Sequence, residues 1–153
     1  MIQIARHWDC EVYVCTRSAR ERDRALGHGA AWVGGYGERP PSPLDAAITF
    51  APAGSVVVDA LSAVDKGGVV AINAIHLDRV PEFDYDLLLG ERQIRSVANV
   101  TRADVVALID LAATIPIRTD VERFTLHDMD VALRRLSTGE ISGAAVIDIA
   151  STG

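Results

Sequence analysis

The sequence predicts an α/β fold built on a parallel sheet with helices on both faces. Two observations carry the prediction. Short continuous apolar segments, such as Val69-Val70-Ala71-Ile72 and Ala144-Ala145-Val146-Ile147, read as strands buried on both faces and lack the alternation of a half-exposed sheet. Segments with helix start and stop signals separate these runs, and that alternation is how parallel strands are connected.

Taken in order, Ile2 to Trp8 is compatible with a helix that starts abruptly, because Met1 stands where Ser, Thr, Asp or Asn is the usual cap. Glu11 to Thr16 is β-branched and aromatic and reads as a strand. Ser18 caps a charged helix, Ala19 to Leu26, which Gly27 closes. Trp32-Val33 is a short strand, and Gly34-Gly35-Tyr36-Gly37 with Pro40-Pro41-Ser42-Pro43 is a loop. Leu44 to Phe50 is a strand ending near Pro52-Ala53-Gly54. Ser55 to Val64 stays open: Val56-Val57-Val58 favours strand, while the length and flanks suit a short buried helix. Val69 to Asn73 is a strand after a turn at Gly67-Gly68, and Gln93 to Asn99 is another. Thr101 is placed to cap a helix, with Asp104 in the capping-box position and apolar residues through Val105, Val106, Leu108, Ile109 and Ala112. Pro116 ends it. Val121 to Leu126 is a strand, Asp128 opens a helix that stops at Gly139, and Ala144 to Ile149 is the last strand. In such sheets ligands bind beyond the carboxyl ends of strands, which directs attention to Thr16-Arg17, Phe50-Ala51, Ala74-Ile75 and Asn99 to Arg102.

Charge and cysteine usage narrow the partners. A net charge of −6 and a pI near 5.1 leave no long-range basic field for nucleic acid or an anionic membrane. The apolar runs fall well short of the ~20 residues of a membrane helix, and no basic start precedes an apolar run as in a signal peptide. The expectation is a soluble, cytoplasmic chain. Lys66, the only lysine, sits in a turn, which disfavours Schiff-base chemistry. Cys10 and Cys15 match neither CxxC nor a zinc spacing and point to a reducing compartment; Cys15 is expected as a small buried hydrophobe and Cys10 in the preceding turn.

One motif is missing. A dinucleotide fold places a glycine-rich loop between its first strand and first helix, where backbone N–H groups meet the pyrophosphate. No GxGxxG precedes the helix at Ile2, and Gly27-His28-Gly29 follows a helix and reads as its stop.

The succession IQIARHW, EVYVCTRS, LGHGA, AWVGG, LDAAITFAPAG, DKGGVVAINAIH, YDLLLGERQIRSVANVTRAD and GEISGAAVIDI resembles the carboxyl-terminal half of a zinc-dependent alcohol dehydrogenase of the medium-chain dehydrogenase/reductase family. The likeness runs over essentially all of the chain, and GERQIRSVANVTRAD is its most specific block. It implies a partial Rossmann domain over residues 1–115 and, over 116–153, the segment that returns to the catalytic domain. It also implies that the zinc ligands, the first Rossmann strand and its glycine loop lie upstream of Met1. In the strand order 3-2-1-4-5-6 the missing strand is the central one, so the strands at Val12 and Ile48 would face a gap two ~4.8 Å spacings wide. Unpaired buried backbone groups cost about 1–3 kcal/mol each, so the isolated chain is expected to be marginal or to re-pair its strands.

The resemblance assigns roles residue by residue. Thr16 and Arg17 would touch the adenosine ribose; with Thr16 in place of an acid that accepts from the 2′-hydroxyl, Arg17 is placed for a 2′-phosphate or else lies in solvent. Arg102 matches an arginine that reaches the cofactor phosphates, and its place at a helix start is unfavourable for the macrodipole unless an anion is near. Phe50, Ala51 and Ile75 would line the nicotinamide pocket or else pack strand ends. His76 matches a family histidine in a loop; His7, His28 and His127 read as structural, and Asp59, Asp65, Asp84 and Asp86 as solvated or capping. The implied cofactor is NAD(P), with zinc only in the full-length family, and the implied substrate is a small alcohol or aldehyde. The edge strand over residues 93–99 would pair across a two-fold axis in a homodimer, with Ile94 and Val97 at the interface or in the core.

Two readings follow. The first is a fragment of an alcohol dehydrogenase-like oxidoreductase, with no catalytic or metal residue of its own and no activity alone. The second is a non-catalytic nucleotide-binding or dimerising module. A phospho-acceptor receiver domain is set aside, because no early acidic pair precedes an acceptor aspartate.

Overall fold

A computed structural model describes residues 1–149 of the chain. The polypeptide forms two compact units, Met1–Ile109 and Asp110–Gly153. The first holds α1 (Ile2–His7), β1 (Tyr13–Cys15), α2 (Ala19–Gly27), β2 (Trp32–Gly34), β3 (Leu44–Thr49), α3 (Gly54–Ala63), β4 (Val64–Ile72) and β5 (Gln93–Ser96). Helix α4 (Arg102–Thr114) runs across the division, and the second unit adds β6 (Val121–Thr125), α5 (Met129–Ser137) and β7 (Ala144–Asp148). Every strand pair is parallel. The fold class is α/β, as the sequence predicts.

The first unit contains two sheets. β1 pairs with β2, and β3, β4 and β5 form a three-stranded sheet in that order. β1 and β3 do not pair among the described residues, which is the division expected of a sheet lacking the strand between them.

Helix ends follow local chemistry. The Ser18 hydroxyl accepts the Glu21 N–H at 3.3 Å and starts α2. The sequence closes α2 at Gly27 within the stop Gly27-His28-Gly29; in the structure Gly27 is the last helical residue and Gly29 makes the left-handed turn that ends it. Gly29 adopts the left-handed conformation (φ +96°), its N–H bonds the Leu26 carbonyl, and the Ala30 N–H bonds the Ala25 carbonyl, both at 2.9 Å.

The open segment at 55–64 is helical. Val57 and Leu61, four residues apart on one helix face, are fully buried, and that burial outweighs the β-propensity of the three valines. β4 begins at Val64 and not at Val69, because Lys66 to Gly68 form a bulge inside the strand. Leu44 faces Val64 while Ala46 faces Val69, and Gly67 (φ +76°) absorbs the extra length, its N–H bonding the Gly90 carbonyl at 2.7 Å. β5 is shorter than the sequence suggests. β4 ends at Ile72, whose carbonyl accepts the Val97 N–H at 2.9 Å, so residues beyond Val97 have no strand beside them.

The core of this unit is Val57, Leu61, Val64 and Val70, with Leu44, Ala47, Ile72, Leu77, Phe83 and Ile94 packed around it. Thr49 is 4% exposed at the end of β3, and its hydroxyl has no partner among the described residues. An unmade buried hydrogen bond costs about 1–3 kcal/mol, so Thr49→Val is expected to raise stability by about 1 kcal/mol, read from the urea midpoint. A lower midpoint would show that the hydroxyl is satisfied in solution.

Helix α4 opens with the expected capping box. The Thr101 hydroxyl and N–H donate to the Asp104 carboxylate at 2.6 and 2.8 Å, and the same hydroxyl accepts the Asp104 N–H at 3.2 Å. These bonds, the hydroxyl's first and the backbone's second, hold the Asp104 carboxyl below its ordinary range. A carboxyl lowered on folding stabilises the fold above its unfolded value and loses that contribution as pH falls through the folded one. A carboxyl-carbon NMR titration should therefore place the Asp104 midpoint below that of an ordinary aspartate, and Thr101→Val should return it upward.

In the second unit β6 and β7 are joined through α5 as one βαβ element, with Val121 opposite Ala144 and Thr125 opposite Asp148. Glu122 accepts from Arg135 at 2.7 Å and from the Ser142 N–H at 2.8 Å, tying helix to strands. The Asp128 side chain does not cap α5; it accepts the Thr125 hydroxyl at 2.7 Å. Gly139 (φ +72°) ends α5 as expected. No helix among the described residues is long and apolar enough to cross a membrane.

Candidate functional site

The parallel ladders carry residues after β3, β4 and β5 out of one edge of the three-stranded sheet. The Asn73 N–H bonds the Thr49 carbonyl at 2.9 Å, so the chain leaving β4 stays beside the chain leaving β3. Phe50 and Ala51 follow β3 directly, Phe50 being 55% exposed and Ala51 half-buried. Ile75, three residues past β4, is 91% exposed. Apolar side chains held out of the core at strand ends can cover the flat face of a ring, and nothing in the fold requires them there.

The loop after β4 is anchored. The Asp78 carboxylate accepts the N–H of Gly54, the first residue of α3, and the Arg79 backbone lies against that glycine. A carboxylate at a helix N-terminus is favoured by the macrodipole and the free N–H groups there. This contact fixes where Ile75 and His76 leave the sheet. The sequence reading misses Asp78; a lone acid in a loop carries no signal until the helix start beside it is known.

Thr16 and Arg17 end β1, in the other sheet, so they are not joined by strand pairing to the group at β3 and β4. The Thr16 N–H bonds the Gly34 carbonyl at 2.9 Å. Thr16 borders an open depression of about 280 Å³ that Ile2, Val14, Ala25 and His28 also line. One nitrogen of the Arg22 guanidinium donates to the carbonyls of Thr16 and Arg17, at 2.8 and 3.3 Å, and so pins the turn. The Arg17 guanidinium lies over the Tyr36 ring, 5.6 Å from its centroid. The sequence reading gives neither a site role, placing Arg22 among the solvent-facing charges of α2 and Tyr36 in a loop, although an aromatic ring among three glycines just after a strand is an unusual sight. Arg102 is the first residue of α4 and is exposed.

Cys15 is an exposed residue, not the small buried hydrophobe the sequence suggests, because β1 is an edge strand with β2 on one side only. Its sulfur is nonetheless partly shielded, lying 4.0 Å from the Glu38 carbonyl oxygen. That burial first, and the carboxylates of Glu38 and Asp59 second, push the thiol pKa up. Among the described residues no group of three or more His, Cys, Asp or Glu is arranged to hold a metal ion.

No family model matches the chain. The sequence is 48% identical over 146 residues to the probable alcohol dehydrogenase AdhA of Mycobacterium tuberculosis, a match that takes in 95% of this chain and 42% of that protein. The chain thus spans under half the length of the relative it matches. Its fold is similar to that of a cinnamyl alcohol dehydrogenase from Sorghum bicolor (TM-score 0.85, 22% identity, 99% of this chain and 45% of that one). It is similar also to an acetophenone reductase from Geotrichum candidum in complex with NAD (TM-score 0.80, 23% identity, 95% of this chain and 43% of that one). Along nearly its whole length the chain is thus similar in sequence to part of an alcohol dehydrogenase, and its parallel sheets are similar in fold to part of larger alcohol dehydrogenases.

Proposed function

We propose that these residues are the cofactor-handling part of an alcohol dehydrogenase-like oxidoreductase. The observation that carries the reading is the edge at which β3, β4 and β5 end: it presents Phe50, Ala51 and Ile75 together, with unused apolar surface and an anchored loop. In this assignment Phe50, Ala51 and Ile75 cover the nicotinamide ring and shut water from it. Thr16 and Arg17 receive the adenosine end, and Arg102 meets the phosphates. NAD(P), when bound, supplies the hydride acceptor. Residues 1–115 form the partial dinucleotide-binding domain and 116–153 the segment that returns to the catalytic domain. The described residues offer no cluster of ligands that fits zinc. A small alcohol or aldehyde is the substrate class of the whole enzyme, and the two unpaired cysteines suit the cytoplasm.

The test is direct. NADPH fluorescence should change on addition of the 153-residue chain, and no alcohol should drive reduction of NAD(P) by the chain alone. Chelator-sensitive turnover by the purified chain would overturn the inactive assignment, and an unaltered NADPH signal would overturn the cofactor site.

A second reading, a dimerising module, is favoured by one observation. β5 pairs on one side only, and Val97, Val100, Val105, Val106, Leu108 and Ile109 after it are all exposed. An open strand edge with apolar surface beside it is a pairing site for another chain. Sedimentation equilibrium decides it: a dimer that Ile94→Lys dissolves supports the reading, and a monomer at all concentrations removes it.

A further inference from the structure

Two arginines line one open cavity at the amino ends of β3, β4 and β5. The cavity holds about 220 Å³ and is bordered by Arg39 and the prolines ahead of β3, by Asp65 near the start of β4 and by Arg92 just before β5. Arg92 is half-buried and already held: its Nε–H donates to the Val64 carbonyl at 2.9 Å and its Nη1 to the Leu89 carbonyl at 2.7 Å. Its Nη2 has no partner among the described residues. Neither Arg39 nor Arg92 takes part in an ion pair among the described residues. The Asp65 carboxylate accepts the N–H of Lys66 beside it, at 2.7 Å.

Charge and shape together select a ligand. Two guanidinium groups and one carboxylate leave the lining with a single net positive charge. The carboxyl end of α3, which stops at Ala63 on the cavity wall, adds partial negative charge and disfavours a second anionic group. Pro40, Pro41 and Pro43 supply an apolar wall without N–H donors. The volume is below the ~300–1,000 Å³ of sites that take drug-sized ligands, so the ligand is small.

We propose that this cavity binds a small organic monocarboxylate, its carboxylate held between Arg39 and Arg92 and its apolar body against the prolines. A guanidinium already fixed on two carbonyls loses little freedom when it takes an anion. The site is separate from the edge that carries Phe50 and Ile75, because the six residues of β3, about 20 Å, lie between the two.

The probe is benzoate, titrated into the 153-residue chain at low salt and followed by amide NMR shifts. Saturating shifts are expected at Leu44, Val64, Asp65 and Gln93, and not at Phe50 or Ile75. Benzamide, its neutral isostere, should bind about tenfold more weakly, the ratio of one charge-assisted pair. Phthalate, with two charges, should bind no more tightly than benzoate. Arg39→Gln alters an exposed side chain that makes no hydrogen bond or ion pair among the described residues, so the rest of the spectrum should stay as it is while benzoate binding weakens about tenfold. Asp65→Asn keeps an acceptor for the Lys66 N–H and should tighten benzoate about threefold, the scale of one screened charge. Equal binding of benzoate and benzamide, an affinity that survives Arg39→Gln or falls in Asp65→Asn, or shifts absent from those four residues overturns the site. Shifts at Phe50 and Ile75 alone overturn it too, and place benzoate at the opposite edge.

Discussion

Leu61→Ala is expected to destabilise the first unit by about 2–5 kcal/mol, the range for a buried leucine truncated in a core that cannot fully collapse. The expectation is at the upper part of that range for a structural reason. Leu61 is fully buried, and the buried cluster around it holds only Val57, Val64 and Val70 among the described residues. The loss therefore falls on a small core with few neighbours able to move into the space. Set against about 5–15 kcal/mol for a typical domain, one such change can unfold the unit. Leu133→Ala in α5 is the control: Leu133 is 59% exposed, so its truncation should stay within about 0.5 kcal/mol. Urea unfolding of the two variants beside the parent chain measures both, and equal effects would mean that the first unit has no fixed core in solution.

Gly54→Ala should also be costly, for a reason of space. A Cβ on Gly54 would lie 2.1 Å from the Arg79 carbonyl oxygen and 2.6 Å from the Val80 Cα, and both are backbone atoms. Neither can rotate away as a side chain would, so the loop after β4 must lift off the start of α3. The cost is about 1–3 kcal/mol by analogy with overpacked cores. It includes the contact between the Gly54 N–H and Asp78, which the displaced loop would break. Amide exchange should accelerate along the loop that carries Ile75 and His76, and NADPH binding should weaken with it. Gly27→Ala provides the matched contrast. A Cβ there meets nothing within 4 Å and the residue is helical, so the same substitution should stabilise by about 0.5–1 kcal/mol. Opposite signs from one chemical change would show that the close approach, and not glycine's helix propensity, decides at Gly54.

The fold is legible in the sequence where the signal is local. Ser18, Thr101 and Gly139 mark helix ends with groups that bond their immediate neighbours, and all three act at the positions the sequence indicates. The strands at Val14, Ile48, Val70, Ile94, Phe124 and Val146 are runs of β-branched and apolar residues, and each is a strand. The segment at 55–64 is not legible: its three valines favour a strand, and only the burial of Val57 and Leu61 makes the helix prevail. The bulge in β4 escapes for the same kind of reason. It exists because Gly67 meets the Gly90 carbonyl, 23 residues away. Likewise, whether Cys15 is buried depends on how many strands stand beside β1, which no window of sequence around Cys15 records.

The candidate site divides along the same line. That residues after strand ends should be searched follows from the parallel pattern, and Thr16, Phe50 and Ile75 are found just beyond β1, β3 and β4. The sequence by itself determined the strand and helix alternation, the net negative charge and the likeness to alcohol dehydrogenases. These properties depend on residue type and on neighbours a few positions apart. The tertiary structure alone decided that Asp78 anchors the loop bearing Ile75 and that Arg17 rests on Tyr36. Such contacts join residues 19 to 24 positions apart in the chain, and their energy exists only once loops are closed and helices seated, so no local pattern announces them.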